Sequence, residues 1–366
     1  MNNDLLFQLA LTQVRRIGCV HAKTLVQQFG SAEAVFKARQ SQLETIEGIG
    51  SIRAKAIKSF NQFHALEKEI AFIEKYKITP LFLTDKNYPQ RLLNCYDPPT
   101  LLFYRGSANL NASRIVAVIG TRNNTDYGKQ LTEKLLKALA PLNVLIVSGL
   151  AFGIDALAHK QSLKNKLPTV GVLAHGLDTI YPPEHNNLAK EMVKHGGGLL
   201  TELPSNNKPD KHNFPSRNRI VAGMSDAVVV IETDTVGGSM ITAELANSYN
   251  KDVFAYPGKT SDIKSTGCNY LIQSNKASLV TGADDLINMM GWEEKVISKK
   301  KQKEIFIELN ASEKIITGLL QQKEAIHIDE LHIKSGLSSS DMAAAILNLE
   351  LQNVIYSMPG KLYALA

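Results

Sequence analysis

The chain of 366 residues is 44% hydrophobic and 21% charged, with a formal net charge of +6; this predicts two or three domains with a sizeable core and excludes wholesale disorder. Its three cysteines (Cys19, Cys95 and Cys268) are far apart and form no CxxC, which excludes a disulfide framework and a thiolate zinc site and suits the reducing cytosol. No apolar run is long enough to span a membrane, and the N-terminus has neither the basic start nor the small-residue cleavage signature of a signal peptide, so a cytoplasmic protein is expected.

The charge is unevenly spread. Residues 1–79 carry 11 Lys/Arg against 7 Asp/Glu, residues 80–299 carry 23 against 20, and residues 300–366 carry 7 against 8. The first two regions hold the basic character that hints at a polyanionic partner.

Residues 1–78 read as a small all-helical domain, with apolar positions at three- and four-residue spacing. Glycine turns punctuate it at Arg15–Leu25 and Glu47–Ile57. The second fits a helix-hairpin-helix whose helix, with Arg53 and Lys55 in its first turns, has amides suited to a phosphate. Such modules pack against proteins as readily as they touch nucleic acid.

Residues 80–292 alternate strand and helix. Apolar β-branched runs start at Arg114, Asn143, Pro168, Gly197, Asp226 and Asp252, with helical stretches from Thr125 and Pro183 among them. Near-continuous hydrophobic strands separated by helices predict an α/β, Rossmann-like parallel-sheet domain covered on both faces. Ligands bind such sheets where loops leave the carboxyl ends of the strands. A lysine-rich linker is expected over 293–303. Residues 304–366 then predict three helices and a terminal hairpin around a Pro-Gly turn, the pattern of a winged helix.

Four post-strand segments suit anions. In the first, Gly120 lets the backbone approach a ligand, Thr121 offers a hydroxyl and Arg122 can fork onto a phosphate. It is not a Walker A loop, because Gln130 follows Gly128-Lys129, and the three-glycine dinucleotide fingerprint is absent. In the second, Ser148, Gly149 and Gly153 frame a nest of amides, with Phe152 either a core plug or a base platform. Asp155 and His159, one helical turn apart, are expected to pair on the helix surface; with no third ligand nearby they do not suggest a metal. The third starts a helix at Phe214-Pro215 with Arg217, Asn218 and Arg219 in its first turns, where cations oppose the macrodipole and stability alone would not place them. One of these arginines, though less easily both, can instead pair with a carboxylate such as Asp226. The fourth turns into a helix through Gly237, Gly238 and Ser239.

The order GTR, SGLAFGID, FPSRNRIVAGMSDAVVVIE and GGSMITAELA, with YPPEHNNLA from Tyr181, resembles the DNA-processing protein A family (DprA/Smf) over nearly the whole chain. The resemblance implies a non-enzymatic, cofactor-free homodimer that protects incoming single-stranded DNA and loads RecA onto it during natural transformation. It also implies a pocket that grips the strand's phosphates, which falls here on Gly120, Thr121, Arg122, Ser148, Gly149, Gly153, Arg217, Asn218, Arg219, Gly237 and Ser239. Phe152 and Phe214 are candidates for base stacking.

Residues 304–366 carry 4 Lys/Arg against 8 Asp/Glu, and the expected recognition helix from Ser339 has no Lys or Arg. A helix reading a major groove needs cations for phosphates and arginine or amide groups for bases. Asn348 and Gln352 cannot do that alone, so this winged helix is expected to contact protein, and a transcription factor is disfavoured. An enzymatic alternative is a nucleotide phosphoribohydrolase of the lysine-decarboxylase-like type, whose GGxGTxxE signature is half kept in Gly237, Gly238 and Glu244. Met240 and Ile241 replace its Gly-Thr pair, and binding is favoured over catalysis.

Overall fold

Every residue of the strand Ile115–Ile119 is buried, and its side chains alternate between two separate cores. Ile115, Ala117 and Ile119 enter one core and Val116 and Val118 the other. The unbroken apolar run is thus the signature of a strand with both faces covered. This strand is the third of the chain in a computed structural model that describes residues 3–292, 309–323, 325–352, 354–358 and 361–365.

The strands of its sheet are β1 (Thr79–Phe82), β2 (Leu101–Gly106), β3 (Ile115–Ile119), β4 (Leu145–Ser148), β5 (Thr169–Val172), β6 (Gly198–Thr201), β7 (Ala227–Val230), β8 (Asp252–Ala255) and β9 (Ser278–Leu279). Their order is β1-β2-β6-β5-β4-β3-β7-β8-β9. From β6 to β9 all pairings are parallel, and only β2 runs the other way, pairing antiparallel with β1 and with β6. After β3 the chain steps outward one way to β6, then returns to add β7 on the other side. The strand order therefore reverses between β4, β3 and β7, and a crevice opens there above the carboxyl ends.

The expected α/β class holds, and the six expected strands are β3 to β8. Three more extend the sheet. The antiparallel β1 and β2 break the strand–helix rhythm, Pro80 sits in β1 at the edge where proline is tolerated, and β9 has only two residues.

Six helices between Asn3 and Lys75 precede the sheet. Their core includes Leu9, Leu25 and Ile57 and runs on into Phe82, Leu101 and Phe103 of the sheet edge, so both regions lie in one compact unit, Met1–Trp292. Polar ties reinforce this: Lys23 Nζ donates to the carbonyls of Leu93 (2.8 Å) and Cys95 (2.9 Å), and the Ser205 amide donates to Glu69 (2.9 Å). Arg53, expected near a phosphate, instead donates to the carbonyls of Arg16 (3.2 Å) and Gly48 (2.9 Å) and staples the two glycine turns together.

The second unit, Glu293–Ala366, has helices Ala311–Leu320, Ile328–Ser335 and Ser339–Leu351 and strands β10 (Ile326–His327), β11 (Ile355–Met358) and β12 (Leu362–Leu365), in the order β10-β12-β11. This is a winged helix around Ile316, Leu331, Ile346 and Leu349. The expected linker at 293–303 and the Pro-Gly turn lie outside the described residues.

Candidate functional site

The loops after β3 and β4 are latched together by absent side chains. A Cβ on Gly153 (φ +74°) would fall 2.2 Å from the Thr121 carbonyl oxygen, and one on Gly120 would fall 2.6 Å from the Ile154 side chain. The Ile154 amide donates to Thr121 O (3.1 Å), and the Thr121 amide to Glu232 O at the end of β7 (2.7 Å). The Glu232 carboxylate accepts from the Thr125 amide (2.9 Å) and hydroxyl at the start of the helix Asp126–Leu139. A carboxylate of the chain thus already meets that helix's positive end, which is why Gly128-Lys129 is no anion site.

The same holds for the loop after β4. Its amides were expected to hold a ligand anion, but Asp155 fills the nest: its Oδ2 accepts from the Gly149 (3.2 Å) and Ala151 (3.3 Å) amides. Asp155 and His159 therefore do not pair on the surface, and both are buried. His159 Nδ1 lies 2.7 Å from the Thr169 hydroxyl, whose own proton goes to Ile146 O (3.1 Å). Nδ1 thus carries the imidazole proton, and Nε2 is buried without a partner. Burial lowers the His159 pKa to about 3, and His185 and Arg217 push the same way.

Arg217 forms the floor. It lies in the helix Asn213–Gly223, is 5% exposed, and takes the space that a side chain on Gly149 would need, since a Cβ there would lie 1.6 Å from its Nη1. Its Nε has no hydrogen-bond partner, and no described residue forms an ion pair with it. Burial depresses its pKa against the field of Asp155, and burial raises that of Asp155 against the field of Arg217. Across the site, Asn218 Nδ2 donates to Gly238 O (3.1 Å), and Ser239 Oγ meets Thr233 Oγ1 (2.6 Å). The helix Gly238–Ser248 starts there with no side-chain cap, so the positive end of this helix remains open.

These elements enclose a cavity of about 380 Å³. Of the expected residues it gathers Gly120, Thr121, Arg122, Gly149, Arg217 and Asn218, with Phe214, Gly237 and Ser239. Arg122 lies over the Phe214 ring (5.7 Å to the centroid), which stands 6.3 Å from the Tyr181 ring, and both rings line an adjoining hollow. Sequence reasoning missed Lys264 and Asp234 on the cavity wall and Lys211 on the hollow. Lys264 follows β8, and the rule that singled out the other post-strand loops would have found it.

Four expected residues are not on the wall. Ser148 is fully buried and donates to Val118 O (2.7 Å), Gly153 serves as the latch, and Phe152 sits edge-on to His185 with centroids 5.0 Å apart. Arg219 needs the plainest correction. It points to the other side of its helix, bonded to Glu202, to Asp97 O (2.6 Å) and Oδ2 (3.3 Å), and to Cys19 Sγ (3.2 Å). Two carboxylates hold its charge, so it has none to offer a ligand. Asp226, the partner considered for these arginines, binds Arg91 instead. Glu244 also faces away, exposed and 3.4 Å from Lys276. Among the described residues no group of three or more His, Cys, Asp or Glu is placed to hold a metal.

The family description "DNA recombination-mediator protein A" matches residues 79–291, "DprA winged helix domain" matches 307–361 and "Helix-hairpin-helix motif" matches 5–70. The chain is 32% identical to Protein Smf of Synechocystis sp. over 99% of both chains. It is 37% identical to DNA processing protein DprA of Bacillus subtilis over 74% of this chain and 91% of the relative. The structure of DNA processing protein A from Streptococcus pneumoniae is similar at TM-score 0.65 and 32% identity, covering 79% of this chain and 98% of that one. That of the Helicobacter pylori protein, reported for its unique single-stranded DNA binding mode, is similar at TM-score 0.54 and 32% identity, covering 59% and 96%.

Two outcomes separate these roles. Arg219→Met takes the cation from two partly buried carboxylates, Glu202 and Asp97, of which Asp97 keeps the Tyr249 hydroxyl, and should destabilise the protein to urea by about 3 kcal/mol, whereas Arg217→Met, which breaks no ion pair, should cost less than half of that. His159 is held neutral, so the stability it contributes is present above its unfolded pKa near 6.5 and is lost as pH falls towards 3. Between pH 7.5 and 5 the wild type should lose up to ~1.4 kcal/mol per pH unit more than His159→Gln in urea titrations.

Proposed function

Because this chain belongs to the DNA recombination-mediator protein A family, we propose that it grips single-stranded DNA at the cavity between the carboxyl ends of β3, β4 and β7. One observation carries the reading: a buried guanidinium, that of Arg217, opens into this cavity with no protein partner. A charge so placed is costly unless a ligand brings acceptors to it. The name of the H. pylori relative's structure, which speaks of single-stranded DNA, supports the same ligand.

In this reading the strand's phosphates lie at the rim. Arg122, the open start of the helix at Gly237–Ser239 and Lys264 hold them, with Gly120 and Thr121 giving close approach and Asn218 fixing the glycine loop. Phe214 and Tyr181 receive a base beside Arg122, since base–aromatic stacking tolerates any sequence. We read the protein as a binder and not an enzyme, because Glu244, the candidate carboxylate for nucleotide cleavage, faces away from the cavity. Protection of incoming strands, RecA loading in natural transformation, a homodimer and a cytoplasmic location are proposed on family membership. No described helix is long and apolar enough to cross a membrane. The winged helix is proposed to contact protein, because its helix Ser339–Leu351 has no cation, and Asn348 Nδ2 turns to Glu313 (3.4 Å).

Anisotropy titrations of labelled oligo-dT across a salt series test the grip. The log–log slope should be about −0.7 per phosphate neutralised, and Arg122→Ala should flatten it by roughly 0.7. Arg217→Met should weaken binding at every salt concentration; unchanged slopes and affinities in both variants would remove the cavity from DNA binding. Light scattering should give twice the chain mass, and the protein should shorten the lag of RecA assembly on single strands; a monomer without effect on the lag would refute both assignments.

A further inference from the structure

Arg122 is exposed on the cavity rim, and its own side chain does little to fix it there. Among the described residues its guanidinium makes no hydrogen bond or ion pair, and its neighbour is the Phe214 ring, 5.7 Å away at the centroid. Its reach is therefore set by the backbone of the loop that carries it. One residue holds both ends of that loop. Glu232, 2% exposed beyond the end of β7, accepts from the Thr121 amide with its backbone carbonyl (2.7 Å). Its carboxylate accepts from the Thr125 amide (2.9 Å) and hydroxyl. Between these ties the Asn123 amide donates to Thr121 Oγ1 (3.2 Å), which tightens the turn around Arg122.

The surrounding chain is shaped to seat this carboxylate. A Cβ on Gly128 would lie 2.2 Å from Glu232 Oε2 and 2.4 Å from its Cδ, and one on Gly120 would lie 2.9 Å from Glu232 O. Gly128 sits inside the helix Asp126–Leu139 without a positive φ, where alanine is the better helix former. The carboxylate, and not the backbone, explains the glycine. The Thr125 hydroxyl that donates to Glu232 also accepts from the Gly128 amide (3.2 Å), so the same carboxylate fixes where the helix begins.

Resting on the single-strand reading, we infer that Glu232 is a positioning residue for the strand. It does not line the cavity and touches no ligand. Its carboxylate sets the loop 121–125 so that Arg122 stands at the cavity mouth and takes one phosphate. The chain that runs on from Glu232 reaches the uncapped helix start at Gly237, so one strand end sets the spacing between both phosphate contacts. Arg122 supplies the charge, and Glu232 supplies its place.

Salt-dependent binding of labelled oligo-dT to the full-length protein separates positioning from a role in folding. Arg122→Ala should flatten the log–log slope by roughly 0.7, one phosphate's share. Glu232→Gln keeps the side chain's size and one of its two acceptors, yet should flatten the slope by a similar amount although no cation is removed. Gly128→Ala favours the helix but drives the carboxylate out, and should do the same. Neither should add to Arg122→Ala in a double variant, whereas each should add to Lys264→Ala. Thr125→Val, which removes the hydroxyl, should flatten the slope, and Thr125→Ser, which returns it, should restore the slope. Melting midpoints show which variants are folded; if Glu232→Gln is not, Gly128→Ala and the Thr125 pair carry the test. A merely structural role lowers affinity in folded variants and leaves the slope alone. Wild-type slopes in the folded variants, or flattening in the double variants beyond that of Arg122→Ala, overturn the inference and leave single-strand binding standing. A wild-type slope in Arg122→Ala itself removes Arg122 from the strand, and the inference falls with that reading.

Discussion

A guanidinium with nowhere to bond inside its own protein is the constraint around which the rest is arranged. Arg217 is desolvated, its Nε has no acceptor, and the space for its head exists only because residue 149 is glycine. Asp155 supplies an opposing field without an ion pair, and its own charge is held by two amides of the neighbouring loop. Two residues along the same helix, Arg219 shows what a structural arginine looks like, clamped between Glu202 and Asp97. Stability accounts for the second arginine and not for the first.

The sheet explains why this happens where it does. Where strand order reverses, the loops after β3, β4 and β7 diverge and leave a crevice, and helices start there with their positive ends towards it. Glu232 meets the helix start after β3 and Asp155 the amide nest after β4, whereas the Gly237–Ser239 start carries no side-chain cap. An anion that enters the cavity therefore finds its uncapped helix start on the Gly237–Ser239 side.

Much of this was legible in the sequence, unevenly. Strands β3 to β8 announce themselves because burial on both faces demands apolar side chains at every position, whereas β1 and β2 pair antiparallel at an edge and carry no such signal. The post-strand loops follow from the same logic, which passes over Asp234 after β7, Lys264 after β8 and Lys211 on the adjoining hollow. Arg217 and Arg219 were read as one pair, yet a spacing of two residues on a helix turns side chains about 200° apart, so only one could face the ligand. Asp155 and His159 do share a helix face, but that face is buried, which spacing alone does not reveal. Nor does sequence show that a loop's amides are already filled by a carboxylate six residues on.

Hydrogen–deuterium exchange with and without a saturating single strand tests the central claim most directly, because it reads every loop at once. The account predicts slowed exchange in the segments 120–123, 213–218 and 236–240 and unchanged exchange in the winged-helix segment 339–351. Protection confined to that helix, or to the glycine turns before residue 60, with the three cavity segments unchanged, would contradict it.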